Sequence, residues 1–337
     1  MRLVIATPLY PPEIGGPATY IKELEKGLPS HGIKDISIVK FSEVRHLPKF
    51  LRHYVYYRRV LKALRNADAV LALDPVSVGY PAHCAAKKLK KPLIVKIVGD
   101  YAWEQGRQRF GVTQELDEFV RTKQRSLFVQ LLQKIQTRVA KGAVKIIVPS
   151  PYLKGIVSHW GVSEEKIVPI YNSVELPKEI PVREKEEGKF LIVSAGRRVP
   201  WKGFEAIECV AEKHPHWQVF IASGLPRIEM LAWMQAADVF VLNSTYEGLS
   251  HVLIEAMMLG TPVIATNVGG NPFLIENGKT GILIPSKDDD ALEEALTNTE
   301  HDPGAAKNRA QLAQKNREVF SSSRMVELTA SLLTHSL

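Results

Sequence analysis

Short apolar runs alternate along the chain with longer stretches in which apolar residues recur at helical spacing. In the first half, the apolar runs cover residues 3–6, 37–41, 69–73, 93–98, 145–149 and 166–170. These runs are apolar on both faces, which is typical of strands in a parallel sheet that helices cover on both sides. The pattern therefore predicts a doubly wound α/β domain.

Helices are expected between these strands. The candidates cover residues 17–30, 48–65, 78–89, 113–141 and 151–160. The first of them has a clear start signal, because Gly15 and Gly16 form a permissive loop directly before Pro17, a residue that suits the first helical position.

The alternation restarts after a charged, proline-punctuated stretch at residues 177–189, which we interpret as a linker. The strands expected beyond it cover residues 190–194, 217–222, 239–242, 262–265 and 281–284. We expect two Rossmann-like domains, 1–181 and 182–320, facing a central cleft, and a C-terminal helix at 321–337 that packs back on the first domain. Ligands of such sheets bind at the carboxyl ends of the strands.

Composition is that of a globular protein: 337 residues, 45% hydrophobic and 24% charged, which excludes disorder, collagen and coiled coil. The net charge of +8 is uneven. Residues 1–181 hold 29 Lys and Arg against 16 Asp and Glu, whereas residues 182–337 hold 15 against 20. The first half is thus expected to meet something anionic, such as a membrane surface or a phosphorylated substrate. Nucleic acid is disfavoured, because no recognised binding motif accompanies the charge.

The chain contains no apolar run of about 18 residues, the length of a spanning helix. Cys84 and Cys209 match no metal-ligand spacing, which indicates a reducing, cytoplasmic compartment. Residues 46–65 interleave aromatic and basic side chains. This segment is either an interfacial helix on the anionic inner face of the cell membrane or a sheet-covering helix with a basic outer face.

Two carboxylates eight positions apart follow the strand expected at 239–242. Glu247 would lie in the loop at the end of the strand, and Glu255 more than one turn into the next helix. The free N–H groups at the start of that helix, near Ser250 to Leu253, form an anion site. This arrangement can hold a sugar, a diphosphate and a ribose in that order.

Two cations follow the first strand of the second half. Arg197 and Lys202 flank a turn in Gly-Arg-Arg-Val-Pro-Trp-Lys-Gly and can clamp a diphosphate from two sides. Each motif alone is modest evidence for a binding site, since such charge patterns often mark a solvated surface. On matching strand ends, the two motifs together are specific.

With these motifs the sequence resembles the retaining GT-B glycosyltransferases of glycosyltransferase family 4, over nearly its whole length. Further matching stretches are Pro-Pro-Glu-Ile-Gly-Gly-Pro at 11–17, Ile-Tyr-Asn-Ser-Val at 170–174 and Gly-Thr-Pro-Val-Ile-Ala at 260–265. The resemblance implies a UDP-, GDP- or ADP-linked sugar held by the second domain. It also implies a lipid-linked or polysaccharide acceptor held mainly by the first, and a reaction without metal or cofactor.

The resemblance also implies roles for particular residues. Glu255 would bind the ribose, Glu247 would face the donor hexose, and Arg197 and Lys202 would stabilise the departing diphosphate. Donor binding would involve a wider set of residues: Gly15, Gly16, Arg197, Lys202, Leu225, Glu247, Gly248, Leu249, Ser250, His251, Leu253 and Glu255. The mechanism that the resemblance implies is retention of configuration by front-face attack.

Some of these positions keep alternative readings. Asp100 stands where many relatives carry a histidine and would be catalytic by orienting an acceptor hydroxyl or the donor hexose, or would cap a helix instead. Trp103 would stack on an acceptor or belong to the core. His251 would touch the donor sugar or simply begin a helix. Asp288, which opens an Asp-Asp-Asp run, reads as a helix start rather than a metal site.

The second domain departs from the family pattern at residues 223–227, where relatives have an extra helix and strand. We expect this short loop, which includes Leu225, to lie beside the base. The apparent shortening keeps a second class of function open, a non-catalytic protein of the same fold that binds a nucleotide sugar or a glycan.

Overall fold

The structure, a computed structural model, describes residues 1–13, 15–122 and 126–336. It divides into two compact units. The first comprises Met1–Ser173 and Ser322–Leu337, and the second comprises Val174–Ser321. None of the described helices combines the length and the apolar character that crossing a bilayer requires.

The first unit contains a parallel sheet of six described strands. They are β1 (Arg2–Thr7), β2 (Asp35–Lys40), β3 (Ala69–Ala72), β4 (Leu93–Lys96), β5 (Lys145–Val148) and β6 (Ile167–Pro169). Their order is β2-β1-β3-β4-β5-β6. In the register of the sheet, Ile5 of β1 pairs with Ile38 on one side and Leu71 on the other. The predicted doubly wound arrangement is confirmed.

Helices cover this sheet. They are α1 (Gly16–Gly27), α2 (Lys49–Leu64), α3 (Gly79–Leu89), α4 (Tyr101–Arg109), α5 (Leu116–Arg121), α6 (Leu127–Gly142) and α7 (Pro151–Ser158). The single helix predicted at 113–141 is wrong, because α5 ends at Arg121 and α6 begins after Ser126, whose hydroxyl accepts from the Val129 N–H at 3.5 Å. Helix α4 escaped prediction, because its polar sequence lacks apolar residues at helical spacing.

The second unit repeats the design with five described parallel strands. They are β7 (Phe190–Ala195), β8 (Trp217–Ala222), β9 (Val239–Leu242), β10 (Val263–Thr266) and β11 (Ile282–Ile284), in the order β11-β10-β9-β7-β8. The helices are α8 (Phe204–Ala211), α9 (Arg227–Ala236), α10 (His251–Leu259), α11 (Asp289–His301) and α12 (Pro303–Gln314). Strand β8 leads into α9 through residues 223–226 alone, the short connection that the sequence indicated.

Short 3₁₀ turns complete the described elements. They are Leu28–His31, Ser42–Val44, Glu164–Lys166, Pro200–Lys202, Asn271–Phe273 and Lys315–Phe320. Residues 171–189, which include the predicted linker, form neither helix nor strand.

The last helix, α13 (Ser322–His335), belongs to the first unit. Its Val326 lies against α1, where a Cβ on Gly27 would come within 2.7 Å of a Val326 methyl group. Nearby, the hydroxyls of Tyr20 and Thr329 lie 3.3 Å apart. Helix α13 thus completes the apolar core on the α1 face of the sheet.

Candidate functional site

The topological switch point of the second sheet lies between β7 and β9. The chain leaves β7 toward β8 and then crosses back to β9, so the loops at the carboxyl ends of β7 and β9 diverge. Ligands of open parallel sheets bind at such a crevice. The loop after β7 spans residues 196–203 and the loop after β9 residues 243–250, and the Thr245 N–H donates to the Trp201 carbonyl at 2.8 Å.

The predicted cation and the predicted carboxylate of these two loops form one cluster. Lys202 Nζ donates to Glu247 Oε1 at 2.6 Å, and the buried Ser244 hydroxyl donates to the same oxygen at 2.8 Å. Glu247 is only 8% exposed. A Cβ on Gly196 would lie 3.3 Å from Lys202 Cε, so the glycine leaves room for the lysine stem. Ser244 was not among the predicted site residues, although it stands three residues before Glu247.

The second predicted clamp cation is placed differently. Arg197 is exposed and forms no ion pair with any described residue. Its neighbour Arg198 pairs with Glu208 at 3.5 Å and lies over the Phe204 ring, 5.8 Å from the centroid. The structure therefore brings Lys202 to the carboxylate and leaves Arg197 in solvent, where its clamp role stays a prediction.

A glycine pair packs against the backbone that carries Glu247. The Gly270 N–H donates to the Glu247 carbonyl at 2.8 Å. Gly269 has φ of 54°, and a Cβ there would lie 2.0 Å from the same carbonyl oxygen. Both the left-handed conformation and the close approach require glycine, so this pair fixes the position of the Glu247 loop.

Helix α10 begins directly after this loop. Ser250 is its N-cap, and the Ser250 hydroxyl accepts from the Leu253 N–H at 3.4 Å. His251 is its first residue and is half-buried. Gly248 and Leu249 come just before the cap and are buried. The backbone N–H groups of the first helical turn provide the positive end of the helix dipole beside Glu247.

The second carboxylate of the motif is paired with a residue of the predicted base-side loop. Arg227 Nε donates to Glu255 Oε1 at 2.7 Å, and Arg227 Nη2 donates to the Glu175 carbonyl at 2.7 Å. Glu255 is 5% exposed, and this burial raises its pKa, whereas the Arg227 charge and hydrogen bond lower it. Leu225 in the same loop is partly buried. Arg227 was not among the predicted site residues, although it is the only charged residue in 223–227.

In the first unit, the switch point lies between β1 and β3, and the Gly15-Gly16 loop follows β1. A Cβ on Gly15 would come within 2.7 Å of Leu9 Cδ1, whereas a Cβ on Gly16 would meet nothing within 4 Å. Pro17 occupies the first turn of α1 as predicted. Gly16 thus leaves open space at a helix N-terminus, as approach of a ligand to the backbone would require.

Asp100 is the N-cap of α4, and the contacts favour this role over the catalytic one. Its carboxylate is fully buried and accepts from the Trp103 N–H at 2.9 Å, Gln136 Nε2 at 2.9 Å and Trp160 Nε1 at 3.1 Å. A buried carboxylate with these internal donors is poorly placed to meet an acceptor hydroxyl, so the contacts support the helix-cap alternative, and a catalytic role of Asp100 stays a prediction. Trp103 is a fully buried core residue whose indole N–H donates to the Gln114 carbonyl at 2.9 Å, and it offers no stacking face.

Asp288 caps α11, as predicted, by accepting from the Ala291 N–H at 2.9 Å. Within the part of the chain that the structure describes, no group of three or more His, Cys, Asp or Glu side chains could hold a metal ion. The Asp-Asp-Asp run therefore serves helix initiation.

A buried lysine that the motifs did not indicate ends β4. Lys96 is 3% exposed, and its Nζ lies 3.9 Å from the Tyr20 ring centroid, with no hydrogen-bond partner among the described residues. Burial lowers the pKa of Lys96 from 10.5 to about 7. Its signal in the sequence is that it is the only charged side chain in the apolar run 93–98.

The basic and aromatic segment at 46–65 contains α2. Its inner face covers the sheet, where Tyr56, Val60 and Leu64 are fully buried and the Tyr56 hydroxyl donates to the Val39 carbonyl at 2.7 Å. Its outer face is basic and also exposes apolar side chains, among them Leu51. The inner face of α2 therefore covers the sheet, as one of the two interpretations predicted. Binding of its outer face to a membrane stays a prediction.

Two parallel-sheet α/β units, of six and five described strands, match the fold of the GT-B class. Two family models match the chain: Glycosyltransferase Family 4 over residues 14–178, and Glycosyl transferases group 1 over residues 205–319. The chain belongs to this glycosyltransferase family.

Curated relatives match a limited part of the chain. It is 36% identical over 107 residues to the D-inositol 3-phosphate glycosyltransferase of Streptomyces avermitilis, a match of 32% of this chain and 23% of the relative. The chain thus spans about a quarter of the length of the curated relatives it matches.

Solved structures match the whole fold. The sucrose-phosphate synthase of Thermosynechococcus elongatus has a TM-score of 0.76 and 17% identity, covering 99% of this chain and 98% of that one. Anabaena HepE in complex with UDP has a TM-score of 0.74 and 17% identity, covering 99% of this chain and 100% of that one. A further HepE structure is in complex with UDP-glucose. At these identities the likeness shows the fold.

Proposed function

We propose that this protein transfers a hexose from a nucleoside-diphosphate sugar to a lipid-linked or polysaccharide glycan acceptor, with retention of anomeric configuration and without a metal or cofactor. The observation that carries the proposal is the contact of Lys202 with Glu247 at the switch point of the second sheet, next to the α10 N-terminus. Family membership and the UDP-glucose complex of HepE support it.

The proposed chemistry assigns distinct work to these groups. The bond from the anomeric carbon to the diphosphate breaks, and the acceptor oxygen bonds to that carbon on the same face. The acceptor proton passes to an oxygen of the departing diphosphate. Lys202, Arg197 and the α10 N-terminus stabilise the charge that develops on the diphosphate. Glu247 faces the hexose and Glu255 the ribose.

Lys202 donates to Glu247 in the structure, and a bound diphosphate would compete with Glu247 for the same ammonium group. An ammonium group can donate three hydrogen bonds, so Lys202 can keep Glu247 while it reaches a phosphate oxygen. This geometry supports two tasks for Lys202. It positions the Glu247 carboxylate before the donor binds, and it stabilises the leaving diphosphate during transfer.

The test compares two isosteric variants, since Glu247→Gln and Glu255→Gln each remove one charge. With UDP-, GDP- and ADP-hexoses as donors, Glu247→Gln should chiefly lower kcat, whereas Glu255→Gln should chiefly weaken nucleotide binding in calorimetry. Exposed Glu205 on α8 gives the control Glu205→Gln, which should change neither. Equal small effects of both site variants would contradict the assignment.

Activity itself decides between an enzyme and a non-catalytic binding protein. Binding of a nucleoside diphosphate without donor hydrolysis or transfer, across a panel of donors and acceptors, would favour the binding protein. Retention is tested by the anomeric configuration of the product in NMR. Metal independence predicts unchanged turnover in the presence of a chelator.

A further inference from the structure

The start of α6 exposes an apolar cluster on the first unit. Leu127 is 82% exposed, Phe128 66% and Leu131 53%, and the Phe128 ring stacks on the partly exposed Phe110 ring with centroids 5.7 Å apart and planes at 7°. We name these four side chains the α6 apolar tip. An ordinary protein surface exposes apolar side chains singly, whereas a contiguous exposed cluster marks an interaction site.

The rest of the same helix face is cationic. Leu127 and Leu131 are followed at helical spacing by Lys134, Arg138 and Lys141, which places all five on one stripe. At 1.5 Å per residue, the stripe runs about 21 Å from Leu127 to Lys141.

These cations line a groove of about 650 Å³, which Arg121 of α5 borders as well. Its lining includes no acidic side chain, and within the described residues none of the four cations forms an ion pair. The positive charge of the groove is therefore available to an anionic partner.

The geometry points to an anionic lipid bilayer as that partner, with the α6 apolar tip entering the acyl boundary and the cations of the groove meeting headgroup phosphates. Apolar side chains of an interfacial helix reach about 5–10 Å below the headgroups, and the first cation of the stripe, Lys134, lies about 10 Å along the axis from Leu127. One helix thus supplies both contacts at the spacing that a membrane interface requires.

The outer face of α2 is the competing surface, and one of its exposed cations is already neutralised by a carboxylate. Arg59 is paired with Glu43, and Arg58 donates to the Tyr54 hydroxyl at 3.3 Å. No such pair engages the cations of the α6 groove among the described residues. Membrane binding by this surface does not depend on the proposed function. Its biological purpose does, since binding to the membrane would bring the enzyme to a lipid-linked acceptor.

Vesicle co-sedimentation tests the inference directly. The full chain should bind phosphatidylcholine vesicles that contain about 30 mol% phosphatidylglycerol and should bind pure phosphatidylcholine far less. Leu127→Ser with Leu131→Ser should lower the partition coefficient about tenfold. Lys134→Gln with Arg138→Gln should lower it about 25-fold, since each cation near an anionic surface contributes about fivefold. Raising NaCl from about 0.1 M to about 0.5 M should weaken wild-type binding and should matter less for the charge variant.

Matched variants on α2 are the control: Leu51→Ser with Tyr54→Ser, and Lys62→Gln with Arg65→Gln, all at exposed positions. They should bind vesicles as wild type does. Binding that is lost with the α2 pairs and kept with the α6 pairs would overturn the inference. So would a change of oligomeric state in the α6 variants without any vesicle binding, because the tip would then bury itself against a second copy.

Failure of the inference and failure of the proposed function give different results. The α6 variants should keep donor hydrolysis and transfer to a water-soluble acceptor, because their substitutions lie outside the second unit. Vesicle binding by a protein that transfers no sugar would refute the proposed function and leave the lipid surface standing.

Discussion

Replacing Lys96 with methionine should stabilise the protein at neutral pH. Lys96 is 3% exposed, and among the described residues its ammonium lies over the Tyr20 ring face, which cannot accept a strong hydrogen bond. A buried charge without a counter-ion opposes folding, because it loses its hydration. Methionine has a similar length, packs well in irregular apolar sites and carries no charge.

The magnitude follows from the pKa of Lys96, which burial lowers from 10.5 to about 7. At pH 7 this difference corresponds to about 4 kcal/mol of lost stability. Lys96→Met removes this penalty and should therefore gain up to about 4 kcal/mol at pH 7. Because the unfolded chain keeps the proton up to pH 10.5 while the folded chain releases it near pH 7, wild-type stability rises across that interval. The advantage of the variant should shrink accordingly.

Urea unfolding of wild type and Lys96→Met at neutral pH and near pH 10 measures this effect. Lys88→Met is the control, because Lys88 is exposed on α3 and its charge is already hydrated; it should change stability little at either pH. A variant less stable than wild type at neutral pH, or an advantage that is the same at both pH values, would refute the reasoning. Either result would mean that Lys96 has a favourable partner in the folded chain.

Three further predictions concern carboxylates and a glycine. Arg227→Ala should raise the pKa of Glu255 further, because burial then acts without the opposing charge. In calorimetric titrations, the loss of nucleotide binding at acid pH should therefore begin at a higher pH, and Arg227→Lys should partly restore the wild-type profile. Gly269→Ala should destabilise by at least about 1–2 kcal/mol through its left-handed backbone and should lower turnover as well, because the Cβ displaces the Glu247 carbonyl; thermal unfolding and kinetics check both. Asp100→Ala should cost about 3–5 kcal/mol in urea unfolding, because it strands buried donors, while nucleotide affinity in the second unit stays unchanged.

The strands were predictable from sequence because burial on both faces leaves a local signature. Runs such as 217–222 and 239–242 match β8 and β9 in the structure, since an apolar run bounded by loops is sufficient to define a strand of a covered parallel sheet. The break near residue 122 carries no such signature. Apolar spacing continues from α5 into α6, and a single capping serine, Ser126, marks the new start.

The site was predictable as far as its parts are local. Glu247 and Lys202 each follow a strand, and parallel topology brings strand ends to one edge. Their direct contact was not predictable, because it depends on the Ser244 hydroxyl and on a lysine stem lying over Gly196. Arg227 was missed for a related reason, since only the fold shows that the loop after β8 reaches the buried Glu255.

Asp100 and Glu247 show why two acids with similar settings in sequence differ in the structure. Both follow the carboxyl end of a strand and precede a helix. The partners of Asp100 include Gln136 and Trp160, neutral donors that are themselves buried in the core of the first unit. Glu247 accepts from Ser244 and from Lys202, and the Lys202 ammonium has further N–H groups that can donate to a phosphate. A strand-end carboxylate thus belongs to a functional site when its partner can also serve a ligand, and that property depends on residues distant in sequence.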